Sequence, residues 1–121
     1  MDGDGDLDIV SARTTMGGPN VWSNDGGNMF SALMDQTLGT TLDRGSELGD
    51  FDGDGDPDLL VAHRNRTSQV VLNDGNGNFD VEPLGTTLGQ AYDILAADLN
   101  NDGVMDLFRG NIGEAEVWLG E

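Results

Sequence analysis

The sequence predicts an all-β chain: a partial β-propeller of about two and a half four-stranded antiparallel blades. Three observations carry that expectation. An acidic, glycine-rich loop occurs three times, with Asp2, Asp52 and Asn100 at matching positions. Between the loops lie short apolar runs with strand character, and four short strands per ~48 residues is the size of one propeller blade. No segment sustains a 3.6-residue apolar pattern, so almost no helix is expected.

The elements follow in chain order. The first loop, Asp2-Gly3-Asp4-Gly5-Asp6-Leu7-Asp8, runs into Ile9-Val10, the second strand of a blade. Val21-Trp22-Ser23 is a third strand, Asn24-Asp25-Gly26 a hairpin turn of the kind that needs positive φ, and Phe30 opens a fourth strand. These make a partial blade over 1–43. The second loop begins at Asp50 and leads into Leu59 to His63, apolar on both faces as in a strand packed on both sides. Val70 to Leu72, the turn at 73–78 and Phe79 to Val81 read as a hairpin, completing a full blade over 44–89. Tyr92 to Ala97 leads into the third loop, and Val117-Trp118 starts a further strand, giving a partial blade over 90–121. Trp22 and Trp118 hold equivalent positions and are expected in the packing between blades. The Asn-Asp-Gly turns are expected to be turns only, not additional metal sites.

Composition narrows the function. Twenty-three acidic residues face five arginines and no lysine, for a net charge of −18. Such a chain repels nucleic acid and anionic membranes and strains against itself unless cations neutralise it. No apolar run is long enough for a membrane span, so no membrane insertion is expected, and no signal peptide is visible. Cysteine is absent, which excludes a disulfide framework or a thiolate metal site.

The loops point to a hard cation. Counting from Asp50, oxygen-bearing side chains fall at positions 1, 3, 5 and 9: Asp50, Asp52, Asp54 and Asp58. The third loop repeats this with Asp98, Asn100, Asp102 and Asp106, and the first supplies Asp2, Asp4 and Asp8 at positions 3, 5 and 9. Position 6 is glycine in each: Gly5, Gly55 and Gly103. Position 7 varies (Asp6, Asp56, Val104), as a position that offers a backbone carbonyl can. The Asp56 carboxylate is expected to face water. Calcium accepts six to eight oxygens at ~2.3–2.6 Å, and alternate residues of a curling loop converge on one ion. Two calcium sites are expected, with a third, incomplete one at the first loop. Magnesium demands stricter geometry and zinc wants Cys or clustered His. An EF-hand is excluded, because Val61 and Arg109 stand where its bidentate Glu belongs and strands flank the loop.

With the loops placed, the chain resembles the FG-GAP and VCBS repeats, the calcium-binding blades of integrin-α-like propellers and many secreted proteins. GDFDGDGDPDLLVA, ADLNNDGVMDLF and VVLNDGNGNF carry the resemblance. It implies side-chain ligation by the residues at positions 1, 3, 5 and 9 and carbonyl ligation by Asp6, Asp56 and Val104. It also implies that ligands bind on the face opposite the calcium loops. Arg13, Arg64 and Arg66 fall in connections on that face with His63 beside them, Arg44 lies in another such connection, and Arg109 ends a strand. A protein or glycan ligand is therefore expected there. Family propellers close with about seven blades, so open blade faces are expected at both ends here. The reading favours a fragment of a longer protein, with self-association through the open edges as the other outcome. No catalytic motif is present, so the expected function is a non-enzymatic, calcium-binding segment of an extracellular or cell-surface adhesion or binding protein. The alternative is an accessory propeller segment of a secreted carbohydrate-active enzyme.

Overall fold

The computed structural model describes residues 1–11, 20–34, 43–64, 66–85, 91–113 and 115–120. Ten strands and no helix occur among them: β1 (Ile9–Ser11), β2 (Asn20–Asn24), β3 (Phe30–Met34), β4 (Asp43–Gly49), β5 (Asp58–His63), β6 (Gln69–Asn73), β7 (Phe79–Pro83), β8 (Ala91–Ala97), β9 (Asp106–Asn111) and β10 (Glu116–Trp118). They form three antiparallel meanders in the orders β1-β2-β3, β4-β5-β6-β7 and β10-β9-β8. The expected partial propeller is what the chain builds: a four-stranded sheet between two three-stranded ones.

Strand β5 explains the stacking. All six of its residues are buried. Because side chains alternate across a strand, Leu59 and Val61 face one way and Leu60 and Ala62 the other. Leu59 and Val61 join Val21 and Val71 in one core cluster, against which Val10 and Phe79 pack. Leu60 and Ala62 join Ala91, Ile94 and Leu107 in a second cluster, with Phe51, Val70, Leu84 and Trp118 against it. The middle sheet thus has a core on each face. Close approach of the sheets also shows at Gly45 in β4: a Cβ there would lie 2.9 Å from Asp93 Oδ1 and 3.3 Å from the Ile94 nitrogen.

Among the described residues, nothing gives the outer faces of the flanking sheets that cover. Trp22 is 37% exposed and Ile9, its register partner, 48%. This departs from the expectation that both tryptophans pack between blades. Trp118 does so, whereas Trp22 points to the side of its sheet that no strand among the described residues covers. On the third sheet Leu95, Phe108 and Val117 stand opposite one another in register, and all three are exposed.

Candidate metal centre

The second and third acidic loops each precede an inner strand of their sheet, and the first precedes β1, at the edge of its sheet. The second joins β4 to β5 and the third joins β8 to β9. The loops are wound by their own side chains. Asp50 takes the N–H groups of Gly53 (2.7 Å) and Gly55 (3.1 Å), Asp52 that of Asp54 (3.1 Å) and Asp54 that of Asp56 (2.8 Å). In the third loop Asp98 takes the N–H groups of Asp102 and Gly103, Asn100 Oδ1 that of Asp102, and Asp102 Oδ1 that of Val104. Asp2 and Asp4 receive those of Asp4 and Asp6 in the first. Carboxylates that accept N–H groups from within the loop are drawn toward its centre.

Two positions in every loop turn through positive φ. Position 6 does, as expected: Gly5, Gly55 and Gly103 at 95°, 95° and 88°. Position 4 does too: Gly3, Gly53 and Asn101 at 78°, 82° and 63°. Asparagine is among the few residues with a side chain that tolerate this region, which is why the third loop keeps its shape without the second glycine.

Position 9 is the anchor. Asp58 and Asp106 are fully buried. Asp58 accepts the Phe51 N–H at 2.7 Å on Oδ2 and the Asn73 N–H at 2.8 Å on Oδ1, so one carboxylate ties the loop's start to the end of β6. Asp106 accepts the Leu99 N–H (2.7 Å) and the Gly120 N–H (2.8 Å) in the same way. Asp8 takes the Asn24 N–H at 2.9 Å and pairs with the terminal ammonium of Met1. Burial pushes the Asp58 carboxyl above the ordinary aspartate value, although its two N–H partners favour the ion. For Asp8, the ammonium and the Asn24 N–H outweigh burial, and its carboxyl lies lower than usual. The hydroxyl of Ser23, donating to Asp2 Oδ2 at 2.6 Å, holds the Asp2 carboxyl low as well.

Asp50, Asp52 and Asp58 each bring one oxygen within 4.8 Å of the others. Three carboxylate oxygens so spaced, with no Cys or His among them, suit a hard oxygen-seeking cation such as calcium. Asp54 lies outside that trio and faces an open cleft between the loop and the β6–β7 hairpin, which Asp52, Asp74 and Asp80 also line. Among the described residues, the acidic groups of the first and third loops form no such trio; in the third, Asn100 supplies an amide where the second has Asp52.

Position 7 differs from the expectation. The Asp56 side chain is half-buried rather than open to water all round. It lies against the hairpin turn of its own sheet, where a Cβ on Gly75 (φ 72°) would overlap it. Asp6 lies beside Gly26 similarly, and Val104 abuts Gly120. The turns themselves are turns, as expected: both Asp74 oxygens are taken by Asn76 and Asn78 donors, which hold its carboxyl low.

The expected cationic face is only partly assembled. Arg64 and Arg66 are half-buried just beyond the end of β5 that lies away from the loop. Arg13 falls outside the described residues, as does the side chain of Arg44. His63 is corrected: it is fully buried, its Nε2 2.9 Å from Gln69 Oε1, because β5 is covered on both faces along its whole length. Arg109 is corrected too. Its guanidinium is buried between the second and third sheets, 5.3 Å from the centre of the Trp118 ring and 2.6 Å from Glu116 Oε2. Among the described residues, Nε and Nη1 have no hydrogen-bond acceptor.

The reading of positions 1 to 9 missed two partners. One is the N–H of position 2, supplied by Phe51 and Leu99. The other is the residue at the end of β2 or β6, Asn24 or Asn73, or two past the end of β10, Gly120, whose N–H closes on position 9. A backbone N–H leaves no sequence signal, but the recurrence of asparagine at 24 and 73 was visible.

A family model described as FG-GAP-like repeat matches the chain twice, over residues 1–61 and over residues 50–108. Each match spans two successive acidic loops. No curated protein matches the chain.

Proposed function

The chain belongs to the FG-GAP-like repeat family, and from that premise we propose that it is a calcium-stabilised propeller segment that serves binding rather than catalysis. The observation that carries this is the convergence of Asp50, Asp52 and Asp58 oxygens within 4.8 Å at the neck of the β4–β5 connection. An ion there would pull position 1, at the end of β4, toward position 9, at the start of β5. It would also offset part of the net charge of −18. The third loop, built on Asp98, Asn100, Asp102 and Asp106, is proposed as a second site, and the first, on Asp2, Asp4 and Asp8, as an incomplete one.

Extracellular modules bind calcium with Kd of ~10⁻⁴–10⁻³ M. At tenfold excess over such a Kd, a site adds about 1.4 kcal/mol. Cytosolic calcium would leave it empty, so we place the protein outside the cell. Among the described residues, no helix is long and apolar enough to cross a membrane. The ligand is an acidic group of a protein or glycan, met by Arg64 and Arg66 at the rim away from the loops, since arginine suits bidentate contact with carboxylates.

Calorimetric titration with calcium, alongside thermal melts with and without chelator, tests the metal. Heat saturating at one to three ions per chain and a lower melting temperature in chelator are expected. No heat and identical melts would end the calcium account. Replacing Arg64 and Arg66 by alanine together should abolish capture on a glycan or matrix-protein array; unchanged capture would remove the ligand assignment alone.

A further inference from the structure

The turn between β6 and β7 carries the chain's one Asn-Gly step, Asn76-Gly77. Every other asparagine is followed by a residue with a side chain. Asparagine is thermolabile, because the main-chain nitrogen that follows it can attack its side-chain amide. A Cβ on the next residue crowds that attack, and glycine has none. In the first hairpin the order is reversed, Gly27-Asn28-Met29, so that turn lacks the step.

The turn leaves the attacking group free. Asn73 Oδ1 takes the Gly75 N–H at 3.3 Å, and Asp74 Oδ1 takes those of Asn76 at 2.9 Å and Asn78 at 3.2 Å. Among the described residues, the Gly77 N–H has no acceptor. Asn76 is exposed, so water reaches its amide. Its Nδ2 donates to the Asp74 carbonyl at 2.8 Å, which keeps the side chain against the main chain.

We infer that Asn76 is a site of spontaneous deamidation, and that the change loosens the hairpin's hold on the second acidic loop. The Gly77 nitrogen loses its proton to solvent base and bonds to Asn76 Cγ. The Cγ–Nδ2 bond breaks, and ammonia leaves with that proton, returned by solvent. Water then opens the cyclic imide. Opening at Cγ gives aspartate. Opening at the main-chain carbonyl gives isoaspartate, whose main chain runs through Cβ and Cγ. Nothing is oxidised or reduced.

Both products act on the same contacts. The Asp74 carboxylate holds the N–H groups of residues 76 and 78 and, at 2.8 Å, Nδ2 of Asn78. The extra main-chain carbon of isoaspartate breaks that spacing, and either product adds a carboxylate two residues from Asp74. The hairpin braces the second loop at two points: the Asn73 N–H on Asp58, at 2.8 Å, and Gly75 against the Asp56 carboxylate. The inference goes beyond the proposed function and does not depend on it.

The test is ageing of the folded 121-residue chain in warm, mildly alkaline buffer. Released ammonia is assayed, and peptide masses are mapped with electron-transfer fragmentation, which separates aspartate from isoaspartate. Asn76→Ser is aged beside it; the side chain is exposed, and matching circular dichroism before ageing would show that the variant folds. The amide-to-acid mass gain should appear at Asn76 ahead of every other asparagine, with isoaspartate among the products. The aged native chain should melt lower than the fresh one, and Asn76→Ser should drift less. An Asn76 that keeps its amide in the folded chain, whether or not it converts in denaturant, overturns the assignment. Equal drift in the native chain and Asn76→Ser overturns the link to the second loop.

Discussion

Replacing Asp58 by alanine separates the structural duty of the anchor carboxylate from any metal. Asp58 is fully buried, and its two oxygens take N–H groups at 2.7 and 2.8 Å from segments far apart in sequence. Hydrogen bonds to an ionised group contribute about 1.5–3 kcal/mol each, and a buried donor left without an acceptor costs a similar amount. Two bonds give about 3–6 kcal/mol. Burial works the other way, since it raises the carboxyl's pKa and so penalises the ionised form at neutral pH. We therefore expect the low end, about 3 kcal/mol, which is a large share of a typical total of 5–15 kcal/mol. For a chain of this length that is roughly 12 °C in Tm. The assay is denaturant unfolding in chelator, so that ion loss does not contribute. Asp54→Ala is the control. Asp54 is exposed and, among the described residues, takes only the Asp56 N–H, so in chelator its replacement should cost under about 0.5 kcal/mol while still lowering calcium affinity. If Asp58→Ala loses less than about 1 kcal/mol without calcium, the two N–H bonds do not anchor the loop and the reasoning is wrong.

Other outcomes can be checked on the same preparations. Gly75→Ala should cost about 2 kcal/mol, from positive φ and from overlap with the Asp56 carboxylate; adding Asp56→Ala should recover part of it, and strict additivity in denaturant melts would show that the contact is absent. The raised pKa of Asp58 means its protonated form is favoured in the fold: relative to Asp58→Asn, the calcium-free protein should gain stability as pH falls toward 3.8 and lose it as pH rises through the folded-state value, read by unfolding at matched ionic strength. The same proton competes with calcium, so affinity at the second loop should weaken on acidification across that window, measurable by titration at two pH values. Arg109→Met should change stability by less than about 1 kcal/mol or raise it, because burying the guanidinium is costly and its charged partner Glu116 is part-exposed and can hydrate; a loss of several kcal/mol would show that the stack on Trp118 and the Glu116 pair carry that corner of the fold.

The sequence by itself determined the loops, the repeat and the sheet count. Alternating aspartates with glycine at a fixed place have few local conformations open to them, and the side-chain-to-backbone bonds that shape them span only two to five residues. The strand after each loop was legible for a related reason: apolar residues on both faces of Leu59–His63 require cover on both sides. What tertiary structure decided is what those strands meet. Val71 and Trp22 occupy the same repeat position, yet one is buried and the other 37% exposed, because among the described residues Val71 alone meets a neighbouring sheet on that side. His63 and Arg109 read as surface cations, since charge favours water, but each sits on a strand closed off by a neighbouring sheet. The anchor role of Asp58 was likewise out of reach of the loop reading. Its second partner lies 15 residues on, at the end of β6, and which backbone N–H arrives there depends on strand pairing rather than on any side chain.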